Sequence, residues 1–222
     1  MQKALSALVV HDIKNALALL EIDLEQLNHR EGVPEEGRRA YRRCLDLKNR
    51  LINFLTLYKH DQHGLVPLPA EVDLGEFIED VVSNSQSAMM AENHHGHEIV
   101  VRADFSRIVS DGAGIALFDE NLLELALESA LNNAVRYAHR EVRVWFEQQG
   151  GELTFRVQDD GVGVGIVDKL VQRKVAEKSS STGLGLALCR AVAEVHGSGS
   201  VELTSVPGGG TLFSLTLKGV LV

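Results

Sequence analysis

The chain has 222 residues, 45% of them hydrophobic and 24% charged, so it can bury a core and is not of the disordered class. Its net charge of −9 argues against a nucleic-acid partner. No apolar run approaches the roughly 20 residues that span a bilayer, and no signal peptide opens the chain, so we expect no membrane segment. The two cysteines, Cys44 and Cys189, lie far apart, which favours free thiols over a disulfide.

Two amphipathic helices are predicted at the start of the chain. Over residues 3–29, apolar side chains recur at spacings of three and four, and a second helix over about 35–59 carries a matching seam. The segment 31–37 between them contains turn and helix-start signals. Because two helices cannot enclose an apolar seam, this all-α hairpin is expected to pair with a second copy as a dimeric four-helix bundle.

His11 lies on the polar side of the first predicted helix. At 100° per residue it projects roughly 160° away from the apolar stripe, and Asn15, one turn later, shares its face. A single histidine in such a place is most simply an ordinary solvated side chain. Its interpretation therefore depends on the rest of the chain.

Residues 62–70 contain Gly64, Pro67 and Pro69 and are predicted to form a linker. Beyond them helix and strand patterns alternate, which predicts an α+β two-layer sandwich over residues 71–222. Helices are expected over 74–90, 121–138 and 184–196, and strands over 98–109, 141–148, 152–158, 200–205 and 211–217.

Two glycine motifs in this second half suit a nucleotide. Asp159 ends a predicted strand, where its carboxylate can accept a hydrogen bond from an exocyclic amine such as that of adenine, and Gly161 and Gly163 follow it. Gly183 and Gly185 open a predicted helix, whose N–H groups and dipole attract phosphate. The plainer alternatives are an Asp-Gly turn and a flexible helix entry.

A polar cluster on the predicted helix 121–138 supplies further candidates. The amide oxygen of Asn133 can ligate Mg²⁺, and Arg136, beside Tyr137, can pair with phosphate oxygens. Solvated polar residues on an amphipathic helix are the alternative interpretation.

In their order and spacing, these motifs resemble the catalytic core of a two-component sensor histidine kinase. The resemblance implies a dimerisation and phosphotransfer domain over 1–61, a linker over 62–70, and an ATP-binding domain of the Bergerat, or GHKL, fold over 71–222. It implies that His11 accepts the phosphoryl group from ATP, that Asp12 orients His11 and takes its proton, and that Asn15 assists a phosphatase reaction. The implied partners are a second copy of the chain and the receiver domain of a response regulator, whose aspartate takes the phosphoryl group. The implied location is cytoplasmic, alone or as part of a longer membrane-bound sensor.

The same resemblance assigns ATP and Mg²⁺ as cofactors. Asn133 corresponds to the magnesium ligand and Asp159 to the residue that holds adenine, while Gly208 and Gly210 correspond to a third glycine motif. The cofactor-binding set is Asn133, Arg136, Tyr137, Asp159, Gly161, Gly163, Gly183, Leu184 and Gly185.

Several positions depart from the family pattern. Ser129 stands where an asparagine is usual, Ala16 where many relatives have proline, and Arg136 where lysine is commoner; the segment between Gly165 and Gly183 is short and basic, with Arg173, Lys174 and Lys178. Two other functions stay open: a phosphotransfer or scaffold protein whose nucleotide domain no longer binds ATP, and a GHKL ATPase or serine-directed kinase. A metal site at His94, His95 and His97 is not expected, because these residues fall in a predicted loop without paired carboxylates.

Overall fold

The computed structural model describes residues 2–28, 34–90, 99–112, 114–163 and 183–220. Contacts between Cα atoms divide the chain into two compact units, Met1–Thr56 and Leu57–Val222. Among the described helices, none combines the length and the apolar character that a membrane crossing requires.

The first unit is built from two helices, α1 (Gln2–Asn28) and α2 (Glu35–His63), although the last residues of α2 are counted with the second unit. Leu17 of α1 and Tyr41 and Cys44 of α2 are buried. The Lys48 ammonium donates to both carboxylate oxygens of Glu21 at 2.7 Å, which ties the two helices together.

The second unit is an α+β domain with a mixed sheet, as predicted for this part of the chain. Its elements in chain order are β1 (Ala70–Asp73), α3 (Leu74–Met90), β2 (Val100–Ala103), β3 (Val109–Ser110), β4 (Ile115–Phe118), α4 (Glu120–Tyr137), β5 (Glu141–Gln149), β6 (Glu152–Asp159), α5 (Leu184–Val195), β7 (Ser200–Ser205) and β8 (Thr211–Lys218). The larger sheet has the order β2-β5-β6-β8-β7, with β3 also paired to β5. Strands β2 and β3 run parallel to β5 and the other pairs are antiparallel.

The core lies between one face of this sheet and helices α3, α4 and α5. Alternate residues of β5 and β6 point into it, as the two-residue period of a strand requires. At its centre Phe77, Phe118 and Phe155 meet edge to face, with ring centroids 5.3–5.9 Å apart. These rings join α3, β4 and β6 at the centre of the core.

The β5–β6 hairpin has a long regular ladder, from the pair Gln149 and Glu152 at the turn to Val142 and Asp159 at the open end. Gly150 (φ 62°) and Gly151 (φ 84°) form its two-residue turn. Positive φ at both positions is typical of the hairpin turns whose twist matches that of the strands.

The segment predicted as one strand over 98–109 is instead two short strands around a 3₁₀ turn, Phe105–Arg107. Asp104 causes the break, since its carboxylate accepts from the Ser106 hydroxyl and pairs with the Arg107 guanidinium, which folds the chain back. The β1–β4 ribbon was not predicted from the sequence, because four-residue strands give too little alternation to detect.

Candidate functional site

Asp159 is the last residue of β6, and its side chain points into the domain with 5% of its surface exposed. Its Oδ1 accepts hydrogen bonds from the backbone N–H groups of Gly161 at 2.8 Å and Thr211 at 3.2 Å. Burial raises the pKa of Asp159 above its ordinary value of 3.8, although these hydrogen bonds act in the opposite direction. The strand end therefore holds a fixed, largely desolvated acceptor.

Asp160 turns away from Asp159 towards the segment that follows α4. Its Oδ1 accepts from the N–H groups of His139 at 2.7 Å and Arg140 at 3.0 Å, and its Oδ2 accepts from Arg140 at 3.1 Å. Partial burial opposes ionisation, but backbone hydrogen bonds outweigh it and lower the pKa of Asp160. The pKa values of the two neighbouring carboxylates are thus shifted in opposite directions.

The turn between β7 and β8 packs directly on the backbone after β6. A β-carbon on Gly210 would overlap the carbonyl oxygen of Asp159, and Gly210 also has a φ of 94°. A β-carbon on Gly163 would lie 2.9 Å from the Gly210 carbonyl oxygen. The structure therefore brings together two glycine motifs that are about 50 residues apart in the chain, a closeness that only backbone without side chains allows.

The start of α5 packs against the middle of α4. A β-carbon on Gly185 would overlap the Ser129 Oγ and lie 3.5 Å from the Asn133 Nδ2. Ser129 is buried, whereas Asn133 is exposed. An exposed amide thus stands beside the first turn of a helix, where backbone N–H groups are available to an anion.

The other predicted residues lie around these contacts. Gly183 precedes α5 in the left-handed conformation (φ 69°), and Leu184, the first residue of α5, is half-buried. Arg136 lies exposed in the last turn of α4. The carbonyl of Tyr137, which ends α4, would be overlapped by a β-carbon on Gly161. Helix α4 therefore contacts both glycine motifs, one at its middle and one at its end.

The phosphoacceptor candidate stands on the other unit. His11, Asp12 and Asn15 are all within α1. The side chains of His11 and Asp12 lie outside the described part of the structure, whereas Asn15 is exposed. These three residues belong to the first unit, whereas the glycine motifs belong to the second.

Some predicted features fall on residues that the structure does not describe: Arg173, Lys174 and Lys178 of the basic segment, and His94, His95 and His97. Within the described ranges no group of three or more His, Cys, Asp or Glu side chains is placed to hold a metal ion.

Sequence reasoning missed two contributors to the site. Thr211 binds the Asp159 carboxylate through its backbone N–H and its hydroxyl. Asp160 is the second, and it is not among the residues predicted for the site. Thr211 directly follows the predicted third glycine motif, so a prediction of strand register between β6 and β8 would have placed it there.

Residues 118–220 match the family described as histidine kinase-, DNA gyrase B-, and HSP90-like ATPase. This range contains Asn133, Asp159, Gly185 and Gly210, the residues whose contacts are described above. Residues 118–220 form an ATP-binding domain of that family.

Similar curated proteins extend the likeness to nearly the whole chain. Sensor protein kinase WalK of Staphylococcus haemolyticus is 27% identical and matches 94% of this chain and 35% of its own length. Sensor histidine kinase CpxA of Escherichia coli is 26% identical and matches 94% of this chain and 45% of its own. The chain thus spans less than half of the length of these two relatives. Together with the family match, they confirm the predicted histidine kinase catalytic core with a GHKL ATP-binding domain.

Solved structures agree on the fold. The histidine kinase AdeS of Acinetobacter baumannii superposes with a TM-score of 0.60 at 19% identity, covering 96% of both chains. Full-length ShkA in complex with AMPPNP gives 0.67 at 18% identity over 97% of this chain and 46% of that one.

Proposed function

We propose that this chain uses ATP to phosphorylate His11 and then passes the phosphoryl group to an aspartate of a response regulator. The proposal includes the division predicted above, with a phosphotransfer hairpin over 1–61, a linker over 62–70 and an ATP-binding domain over 71–222. It also includes a phosphatase activity towards the regulator.

One observation carries the nucleotide half of the proposal: α4 contacts both glycine motifs. Asp159 and Gly161 lie at its C-terminal end, and Gly185 lies beside Ser129 and Asn133 in its middle. A buried carboxylate acceptor suits the adenine amine, and a helix start beside the Asn133 amide suits the phosphates. Arg136, exposed in the last turn of α4, is a further candidate for pairing with phosphate oxygens. The adenine of ATP is thereby assigned to the Asp159 end of the site, and its phosphates to the Gly185 end.

Magnesium fits the residues at the phosphate end. The exposed amide of Asn133 offers the hard oxygen ligand that Mg²⁺ prefers beside nucleotide phosphates. When bound, the ion would neutralise phosphate charge during transfer. Ser129 in place of an asparagine leaves Asn133 as the candidate ligand on this face of α4.

The proposed reaction is a phosphoryl transfer to an imidazole nitrogen. A neutral ring nitrogen of His11 forms the new N–P bond with the γ-phosphorus, and the bond from that phosphorus to the β,γ-bridging oxygen breaks. The bond electrons leave with ADP, and Asp12 takes the ring proton. In the second step a regulator aspartate displaces the histidine and forms an acyl phosphate.

Dimerisation through the hairpin is supported by the apolar surface of the first unit. Ile13, Leu20 and Phe54 are 45–50% exposed in the single chain. A second hairpin against these side chains would remove them from water, as a four-helix bundle does.

The decisive experiment incubates the whole chain with γ-labelled ATP and magnesium. We expect acid-labile, alkali-stable label on the wild type, none on His11→Ala, and wild-type labelling of His63→Ala, a control at the end of α2. Label that persists on His11→Ala would reject His11 as the acceptor, and persisting label that is acid-stable would favour a serine-directed kinase. A wild type that does not bind AMPPNP would favour the phosphotransfer or scaffold alternative.

A further inference from the structure

Asp160 joins two segments that are 20 residues apart in the chain. Helix α4 ends at Tyr137, and the Ala138 N–H still bonds to the Ala134 carbonyl. The next two N–H groups, of His139 and Arg140, donate to the Asp160 carboxylate instead. The Asp160 carboxylate thus accepts the first two backbone N–H groups that follow the last helical hydrogen bond.

The joined segments carry opposite ends of the proposed nucleotide site. Asp159, the residue before Asp160, is the proposed adenine acceptor, whereas Asn133 and Arg136 on α4 are the proposed phosphate-binding residues. Gly161, the residue after Asp160, lies against the Tyr137 carbonyl, so the contact continues on both sides of Asp160.

We propose that Asp160 is a positioning residue for nucleotide binding, which fixes the distance between the adenine acceptor on β6 and the phosphate-binding residues on α4. This inference rests on the proposed function. Asp160 does not touch the nucleotide; it acts through Asp159 and the end of α4.

A carboxylate suits this role better than a neutral side chain. Both of its oxygens accept from backbone N–H groups, and charged acceptors make shorter and stronger hydrogen bonds. The lowered pKa of Asp160 agrees with hydrogen bonds that favour the ionised form. The length of the side chain should matter as well, because one additional methylene group would displace the carboxylate and with it the end of α4.

The test measures binding of AMPPNP with magnesium to the whole chain by calorimetry. We expect Asp160→Ala and Asp160→Glu to bind about tenfold more weakly than the wild type, a loss of about 1.4 kcal/mol. Asp160→Asn should stay within about threefold, because its remaining oxygen can still accept from both N–H groups. Comparing Asp160→Glu, which changes the side-chain length, with Asp160→Asn, which removes the charge, separates the effects of length and charge on affinity.

Asp73→Ala is the matched control. The Asp73 Oδ1 also accepts two backbone N–H groups, from Gly75 at 2.8 Å and Glu76 at 3.0 Å. Asp73 lies far from Asp159 along the β5–β6 hairpin. It pairs with Ile115, and the Ile115 carbonyl accepts from Gln148 near the turn of that hairpin, whereas Asp159 is at the open end. We expect this variant to lose stability without losing affinity for AMPPNP.

The outcomes distinguish this inference from the proposed function. A wild type that does not bind AMPPNP overturns both. If the wild type binds AMPPNP and Asp160→Ala binds it equally well, the role of Asp160 alone is overturned. The same holds if Asp160→Ala loses no more affinity than Asp73→Ala. If Asp160→Ala does not fold, the other two variants decide: binding by Asp160→Glu that equals or exceeds that of Asp160→Asn overturns the inference.

Discussion

Ser129 of α4 occupies the space into which a side chain on Gly185 of α5 would have to extend. The contact joins the helix that carries Asn133 to the helix start assigned to the phosphates. We expect Gly185→Ala to weaken nucleotide binding, because the added methyl group forces the two helices apart at a cost of about 1–3 kcal/mol.

The same contact predicts a rescue. In the double variant Ser129→Ala, Gly185→Ala the overlapping Oγ is gone. The Asn133 Nδ2 at 3.5 Å and the Ser129 β-carbon at 3.7 Å then lie at ordinary van der Waals distances from the new methyl group. The double variant should therefore bind AMPPNP more tightly than Gly185→Ala alone. Additive losses in the double-mutant cycle would show that the two positions are not coupled.

Asp159→Asn should keep the fold and lose the nucleotide. The amide oxygen can still accept from Gly161 and Thr211, but the other carboxylate oxygen becomes a donor that opposes the adenine amine. We expect affinity to fall at least about tenfold, as for a lost hydrogen bond to a charged acceptor. Calorimetry with AMPPNP measures it, and unchanged affinity would contradict the role of Asp159.

The raised pKa of Asp159 predicts a pH dependence of stability. Since the pKa is higher in the folded chain than in the unfolded one, ionisation disfavours the folded state, and the penalty develops as pH rises between the two values. The stability of Asp159→Asn relative to wild type should therefore improve as pH rises from the ordinary value of 3.8 through the raised pKa of the folded chain. Trp145, the single tryptophan and buried in β5, reports unfolding of this unit by fluorescence.

Gly210→Ala should destabilise the second unit far more than Gly208→Ala. Both glycines have φ near 95°. A β-carbon added at Gly210 would overlap the Asp159 carbonyl, whereas a β-carbon added at Gly208 would have no neighbour within 4 Å beyond the adjacent residues. We expect about 1–2 kcal/mol for the backbone conformation at Gly208 and about 3 kcal/mol or more at Gly210. Denaturant titration followed by Trp145 fluorescence measures both; equal losses would argue against the packing of this turn on β6.

Asn15→Ala tests the phosphatase part of the proposal. Asn15 is exposed one helical turn beyond His11 on α1, where an amide can position a water molecule against an aspartyl phosphate. We expect autophosphorylation to stay at the wild-type rate while dephosphorylation of the regulator slows about tenfold or more. Unchanged dephosphorylation would reject this role for Asn15.

Much of the second unit follows from its sequence because its patterns are long. The alternation of β5 and β6 and the stripe of α4 are each eight residues or more, and the glycine motifs mark the points where backbone meets backbone. The close contact of Ser129 with Gly185 could not be predicted, since it depends on how two helices cross. Nor could the role of Asp160, because its partners are backbone N–H groups that a sequence does not display.

The turn of the β5–β6 hairpin has a consequence for the site at the opposite end. Side chains alternate between the two faces, so a shift of one residue in the ladder would turn Gln158 inward and expose Asp159. Gly150 and Gly151 fix that ladder at a point about 24 Å along the strand from Asp159. A residue inserted or deleted in this turn that shifted the ladder would thus remove Asp159 from the proposed nucleotide site without substituting any residue of that site.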